Sequence, residues 1–352
     1  MPKKSINKGK VLTLLLVGSY KKFDTNEYVQ LLADEYIKQG IQVIFEEQNF
    51  LFSNFTPDVV HIQWPESIYR WKNLIAMDDL ALKFIENRLK WYKTNNTKFI
   101  YTVHNLQPHD NSIKFDNDIY TLFLKYADII VHHGKNSIDQ IKQKYKETIN
   151  SNHIVAPHGA YKNEVLPSKD SILEKYTLPK NKIIFTNFGL QRSYKGRDFN
   201  IEVFKNLNLS DICYFCVGML VGDSKPFEIT QEELCHKQLY KKIPSNEVPE
   251  IISATDIFFL GHSSGLNSGL ISLAISYSKP IIFPNIGNFE EQTKGFNFYE
   301  TYEVGNIESA KIAINKMLVK IKQNQILDNK TWLDKNSWEK HVNIILKELN
   351  KE

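Results

Sequence analysis

Short runs of β-branched, aliphatic and aromatic residues alternate along the chain with longer stretches whose apolar residues recur every three or four positions. The short runs are apolar throughout, the pattern of strands covered on both faces. Strands are predicted at Val11–Val17, Ile41–Phe45, Asp58–Trp64, Lys98–His104, Asp128–His132 and His153–Ala156. A second series is predicted at Lys182–Phe188, Ile212–Val217, Gln238–Lys242, Asp256–Leu260 and Pro280–Phe283. Helical patterns lie between them. In Asn26–Gln39, Tyr28, Leu31, Leu32 and Tyr36 share a face, Asp24 and Glu27 can form an N-terminal capping pair, and Gly40 ends the segment. The stretch from Ile307 to Leu349 reads as helical, with Trp338, Val342, Ile345 and Leu346 on one apolar face. This alternation predicts an α/β protein with parallel sheets and helices on both faces.

The series divides within Lys162–Lys180, which is polar, contains Pro167 and Pro179 and holds no strong strand. Two doubly wound, Rossmann-like domains are expected, 1–165 and 175–330, followed by a C-terminal segment, 331–352. A chain of 352 residues is long for one core. Hydrophobic residues at 42% and charged residues at 24% exclude a disordered or fibrous chain. No apolar run reaches the ~20 residues of a membrane-spanning helix. Lysines precede Val11–Val17 but no small-residue cleavage site comes after it, which argues against a signal peptide. A net charge of +4 is too small to point to nucleic acid. Lys3, Lys4, Lys8 and Lys10 offer charge to an anionic membrane surface, although a solvated tail explains them more simply. Cys213 and Cys216 have C-x-x-C spacing but lie inside an apolar run, so a buried strand is expected rather than a redox turn. With Cys235 they are too few for a disulfide framework, and a reducing cytoplasm fits.

Open parallel sheets bind ligands beyond the carboxyl ends of their strands. Those places hold Gly18, Trp64-Pro65-Glu66, His104-Asn105 with His109-Asp110, His132-His133 and His158-Gly159 in the first half. In the second half they hold Gly189 with Arg192 and Lys195, then Gly218, then Gly261-His262. Most of the 10 histidines gather there, including His61 just inside its strand, where a structural role is expected. The segment Phe188–Gly196 combines glycines for a tight turn with Arg192 and Lys195, which suits an anion near a helix start. Gly261–Leu270 runs from a strand into a predicted helix, Leu270–Tyr277, where Ser268 and Gly269 would present backbone N–H groups. The Phe188–Gly196 loop lacks Walker spacing, and Gly18 begins no G-x-G-x-x-G, which disfavours a nicotinamide cofactor. Asp116-Asn117-Asp118 is read as a polar, N-capping loop before a helix Ile119–Tyr126. His132-His133 lacks a third metal ligand at telling spacing.

These motifs resemble the GT-B superfamily of glycosyltransferases, in particular the bacterial polysaccharide-type enzymes related to the sucrose-synthase-like family. The resemblance covers nearly the whole chain. It rests on Asp58–Glu66, Tyr101–His109, Ala127–His132 and Pro157–Gly159 in the first domain. In the second it rests on Phe188-Gly189 with Arg192 and Lys195-Gly196, on Ile243–Val248 leading into Ala254–Asp256, and on Ser268-Gly269 through Lys279–Ile282. It implies two Rossmann-like domains facing a cleft, the first binding the acceptor and the second the nucleotide sugar, with the C-terminal helix crossing back to the first.

The resemblance further implies transfer of a sugar from a nucleotide-diphosphate sugar to a glycan or lipid-linked saccharide, in polysaccharide or glycoconjugate synthesis. Arg192, Lys195, Ser268 and Gly269 match the diphosphate contacts; Gly189, Pro244, Asn246 and Val248 match the nucleotide segment; His104 faces the transferred sugar. Gly18, Trp64, Asn105 and His158 are assigned to the sugar or acceptor, and Trp64, Tyr69 and Trp71 offer rings for stacking. Candidates for a general base are His104, Glu66 and Asp110; a sugar-binding role for His104 and a surface role for Glu66 are the simpler readings. No cofactor and no metal are expected, because Arg and Lys supply the charge. The nucleotide sugar donor and the acceptor are the expected partners, in the cytoplasm or peripherally at the inner face of the plasma membrane. One departure stands out. Relatives carry paired glutamates around the helix after Ser268, whereas Asn267–Ala274 has no carboxylate, which leaves Glu290 or Glu291 as substitutes. Two rival readings stand beside this one: a nucleotide-sugar 2-epimerase of the same architecture, or a catalytically inactive sugar-binding protein.

Overall fold

The computed structural model describes residues 11–18, 26–69, 79–108, 116–148, 151–161, 164–207, 209–222, 224–323 and 325–351. The N-terminal lysines, Asp24, the ring of Tyr69, Trp71, His109 and the candidate base Asp110 lie outside the described residues and side chains. The chain forms two compact units. One contains Tyr28–Gly159, the leading strand and Asn336–Glu352; the other is built mainly from Ala160–Lys335.

The first sheet comprises β1 (Thr13–Val17), β2 (Gln42–Phe45), β3 (Val59–Ile62), β4 (Lys98–Val103), β5 (Ile129–His132) and β6 (Asn152–Val155), in the order β2-β1-β3-β4-β5-β6. Its helices are α1 (Tyr28–Lys38), α2 (Glu47–Phe52), α3 (Pro65–Tyr69), α4 (Asp79–Thr94), α5 (Asp116–Tyr126) and α6 (Asn136–Lys144). The second sheet comprises β7 (Ile183–Phe188), β8 (Ile212–Val217), β9 (His236–Leu239), β10 (Ile257–Phe259), β11 (Ile281–Pro284) and β12 (Tyr299–Tyr302), in the order β12-β11-β10-β7-β8-β9. Around it lie α7 (Lys169–Lys175), α8 (Arg197–Leu207), α9 (Val248–Ala254), α10 (Gly269–Ser276), α11 (Phe289–Gln292), α12 (Ile307–Lys322) and α13 (Lys330–Lys335). The last helix, α14 (Trp338–Leu349), belongs to the first unit.

Every described strand pair is parallel. Such sheets bury both faces, which is why central strands such as β8 are buried at every residue, Cys213 and Cys216 included. All eleven predicted strands are present, with small shifts at their ends. The predictions omit β12, whose Tyr-Glu-Thr-Tyr sequence is only partly buried because it lies at the sheet edge. Its Glu300 pairs with Lys320 at 2.5 Å rather than entering the core. Two further corrections concern helices. Asp116–Asp118 forms the first turn of α5, not a loop before it. The C-terminal helical stretch is broken into three. In α13, Trp332 is fully buried and its Nε1–H donates to the Gln292 carbonyl at 2.6 Å, which ties residues 331–335 to the second unit. Ser337 then caps α14, its Oγ accepting from the Lys340 N–H at 3.2 Å.

Candidate functional site

The carboxyl edge of the second sheet is paved with glycine. Gly189 comes directly after β7 at φ 116°, and its N–H donates to the Val217 carbonyl at 3.0 Å. A Cβ on Gly218 would stand 1.8 Å from the Gly189 oxygen, so only glycine lets the ends of β7 and β8 close so tightly. A Cβ on Gly189 would stand 2.9 Å from Lys195 Nζ; the ammonium therefore lies against bare backbone. The chain turns through Ser193–Lys195, passes Gly196 at φ 62° and enters α8. Strands β7 and β10 are neighbours, and the loops after them touch. The Ser263 N–H donates to the Tyr194 carbonyl at 2.8 Å, and a Cβ on Gly196 would overlap the Gly261 oxygen.

Lys195 has no ion pair among the described residues. Burial, and then the positive charge of Arg192, push its pKa down to about 8. A further cation, Arg197, absent from the sequence-derived candidates, follows two residues later and opens α8. The Arg197 side chain retains 10% of its accessible surface, and its Nε and Nη1 have no hydrogen-bond partner. Its guanidinium lies over the rings of Phe227 (4.8 Å) and Tyr240 (5.7 Å). A buried ammonium without an acid, as at Lys195, is costly to the free protein, and its charge suits an anion.

The other donor-side candidates divide. Gly269 opens α10, and Ser268 is its buried N-cap residue. The expectation that Ser268 presents its N–H to a ligand fails, because that N–H donates to Gln292 Oε1 at 3.0 Å. Pro244 is half-buried and Asn246 exposed around the turn Ser245–Glu247. Val248 buries its side chain in the core of this unit, which leaves only its backbone for a ligand. Of the substitute carboxylates, Glu290 is exposed and Glu291 half-buried on α11.

The carboxyl edge of the first sheet carries a different cluster. The ring of Tyr28, at the start of α1, is met by Trp64 (5.9 Å), His104 (4.7 Å), His133 (5.6 Å), His158 (5.0 Å), Trp338 (5.0 Å) and His341 (6.4 Å). These residues lie just past β3, β4, β5 and β6 or on α14. His104 stacks on Trp64 at 4.1 Å, and its Nε2 donates to Gln63 Oε1 at 2.9 Å, which makes Nδ1 the basic nitrogen. Backbone carbonyls fix three other rings: Nδ1–H of His133 donates to Ala156, of His158 to Gly159 and of His341 to Pro157, at 2.7–3.0 Å. Burial is the largest cause that keeps these imidazoles neutral. It pushes His133 well below the ordinary histidine value, and His158 and His341 down to about 4. Gly159 is explained by packing: a Cβ there would stand 2.3 Å from the Trp338 indole.

Trp64, His104 and His158 are thus brought together. Gly18 sits beside Gln63 and Val29, and Asn105 is half-buried after β4. Glu66 stands apart, on α3, where its Oε2 accepts from the Tyr120 hydroxyl at 2.6 Å. His61 is interior, between Tyr36 Oη (3.1 Å) and Thr102 Oγ1 (2.7 Å), a structural role. His133 was noted as a strand-end residue, whereas Tyr28, Trp338 and His341 were not among the candidates; His341 lies one turn after Trp338, and that spacing is the signal that could have exposed it. For Arg197 the signal was a third cation directly after Lys195-Gly196. Among the described residues no group of three His, Cys, Asp or Glu side chains is placed to hold a metal ion.

No protein-family model matches the chain. Two proteins of Xanthomonas campestris pv. campestris, both named GDP-mannose:glycolipid 4-beta-D-mannosyltransferase, are similar over 283 residues. They are 24% and 23% identical to it, across 78% of this chain and 74% of theirs. In fold, the chain is similar to sucrose-phosphate synthase from Thermosynechococcus elongatus, with TM-score 0.69 and 12% identity over 96% of this chain and 99% of that one. It is also similar to Anabaena HepE, solved in complex with UDP and glucose, with TM-score 0.67 and 12% identity over 97% of this chain and all of that one. Agreement in fold along nearly the whole chain gives this protein the two-domain α/β architecture of those GT-B enzymes, and over most of its length its sequence is similar to glycosyltransferases.

Proposed function

We propose that the protein transfers a sugar from a nucleoside-diphosphate sugar, held by the second unit, to a glycan or lipid-linked saccharide held by the first. The observation that carries this reading is Lys195, an ammonium without an acidic partner, set against bare glycine backbone beside Arg192. When the bond between the anomeric carbon and the diphosphate oxygen breaks, negative charge grows on the departing diphosphate. Cations already in place stabilise that charge more in the transition state than in the ground state. Each charge-assisted hydrogen bond contributes about 1.5–3 kcal/mol. This reading requires no metal, because Lys195 and Arg192 supply the charge.

The first unit offers neutral imidazoles and aromatic rings, which suit a polyhydroxylated, uncharged saccharide. In this reading His104, oriented by Gln63 and Trp64, positions an acceptor hydroxyl. The names of the Xanthomonas relatives make GDP-mannose and a glycolipid the first donor and acceptor to try. Among the described residues no helix is long and apolar enough to cross a membrane. The reading places the protein in the cytoplasm, with a lipid-linked acceptor met at the membrane surface.

The test is a panel of GDP-mannose, UDP-glucose and related donors, read by melting temperature and then by transfer to a lipid-linked saccharide. One donor is expected to raise the transition and to be consumed only with acceptor present. Conversion of the donor without acceptor would favour the epimerase, and no stabilisation by any nucleotide would remove the reading.

A further inference from the structure

Gln191 follows Gly189 by two residues, and its side chain, almost fully buried, folds back across the turn. Its Nε2 donates to the Gly189 carbonyl at 3.0 Å and to the Val217 carbonyl at 2.9 Å. Two carbonyl partners fix the assignment of this amide, because its own oxygen could not sit against both. The backbone seats the turn independently of the side chain. The Gln191 N–H donates to the Met219 carbonyl at 2.8 Å, and the Gln191 carbonyl accepts from the Val221 N–H at 3.2 Å. The Val217 carbonyl also has a second donor, the Gly189 N–H at 3.0 Å. The Gly189 carbonyl has none: among the described residues only Gln191 donates to it. The arrangement has a cost, since Gln191 Oε1 is enclosed without a partner.

Lys195 returns to the same glycine. Its Nζ is 2.9 Å from where a Gly189 Cβ would stand, yet it makes no hydrogen bond among the described residues. Were the Gly189 carbonyl left empty, the ammonium beside it would be drawn to it, because a buried acceptor without a donor is costly. We infer that Gln191 is a positioning residue of the second unit: its amide occupies the Gly189 carbonyl, which keeps the Lys195 ammonium for an oxygen of a nucleoside diphosphate. The inference rests on the proposed nucleotide-sugar donor, and Gln191 acts only through Lys195. The groups whose charge acts on Lys195 are Arg192, from its own turn, and Cys216, from β8. Burial, the largest influence on the Cys216 thiol, holds it up at about 11, so it stays uncharged while Lys195 titrates.

The test uses the full chain, with GDP and UDP as probes in calorimetric titration, and follows the Cε resonance of Lys195 by NMR against pH without nucleotide. In Gln191→Met, which keeps the length of the side chain and removes its donor, Lys195 turns onto the Gly189 carbonyl. The Kd at pH 7 of whichever nucleotide binds the unaltered protein is expected to rise about tenfold. The midpoint of the Lys195 titration is expected to move up from about 8 by about one pH unit. Gln191→Asn, one methylene too short to reach both carbonyls, is expected to act in the same direction and covers the case in which Gln191→Met does not fold. Loss of a structural staple alone would lower the melting temperature and leave the midpoint where it was. A Kd within twofold of the unaltered protein, or an unmoved midpoint, in a folded variant would overturn the inference and leave the donor reading intact. A midpoint at the ordinary lysine value in the unaltered protein would overturn it without any variant, since Lys195 would then be held already. If the unaltered protein bound neither nucleotide, the donor reading would fall and the inference with it.

Discussion

The two carboxyl edges differ in the charge of the polar groups they bury. At the first, every imidazole around Tyr28 is held by a hydrogen bond, three of them to backbone carbonyls and His104 to Gln63, and burial keeps His133, His158 and His341 uncharged. At the second, Lys195 is enclosed without an acid to answer it, and Arg197 Nε lies 3.9 Å from the exposed Asp198 carboxylate. His133 Nε2, His341 Nε2 and Gln63 Nε2 at the first edge also lack hydrogen-bond partners, so the two edges differ in charge rather than in satisfaction. A cationic edge is poised to gain from an anion. Similar strand–loop–helix geometry thus carries neutral imidazoles and aromatic rings at one edge and cations at the other.

Acid should separate the two units most strongly. His158 and His341 titrate near 4 in the folded protein and near 6.5 once unfolded, so between those values the unfolded chain binds protons that the native chain does not. Stability is then highest above pH 6.5 and falls as pH drops toward 4, by about 1.4 kcal/mol per pH unit for each histidine. Melting curves from pH 7.5 to 4.5 should show the loss, and His341→Gln should reduce its slope. An unchanged slope in that variant would show that His341 is not held neutral.

Next in size is Gly159→Ala. The added methyl must displace the Trp338 indole, and overpacking of this kind costs about 1–3 kcal/mol. Stability should fall, and nucleotide binding by the second unit should not. A variant as stable as the parent would mean that α14 is seated elsewhere.

The smallest effect sharpens the cationic side. Lys195 loses its proton near pH 8, and only its charged form attracts a diphosphate. Nucleotide affinity should hold below pH 8 and weaken above it, approaching about tenfold per pH unit. Titrations at pH 7, 8 and 9 would show this, and an affinity flat across that range would mean that Lys195 stays outside the binding event.

Much of the fold was legible in the sequence because parallel strands covered on both faces are written as continuous apolar runs. Strand β12 was not legible, since an edge strand tolerates Glu300 and Thr301. The rule that ligands bind beyond strand ends was enough to find Trp64, His104 and His158, all of which meet Tyr28. It could not find Trp338 and His341, which reach the same cluster from the far end of the chain. Arg197 was in plain view beside Lys195-Gly196, but its burial against Phe227 and Tyr240 is a property of packing that sequence spacing does not encode.

The most direct measurement is the dissociation constant of GDP or UDP for the unaltered protein and for Lys195→Ala and Arg192→Ala at pH 7. If the cations on the second sheet edge hold the diphosphate, each variant should bind about tenfold to a hundredfold more weakly, with its fold intact. Equal dissociation constants in all three proteins would contradict it.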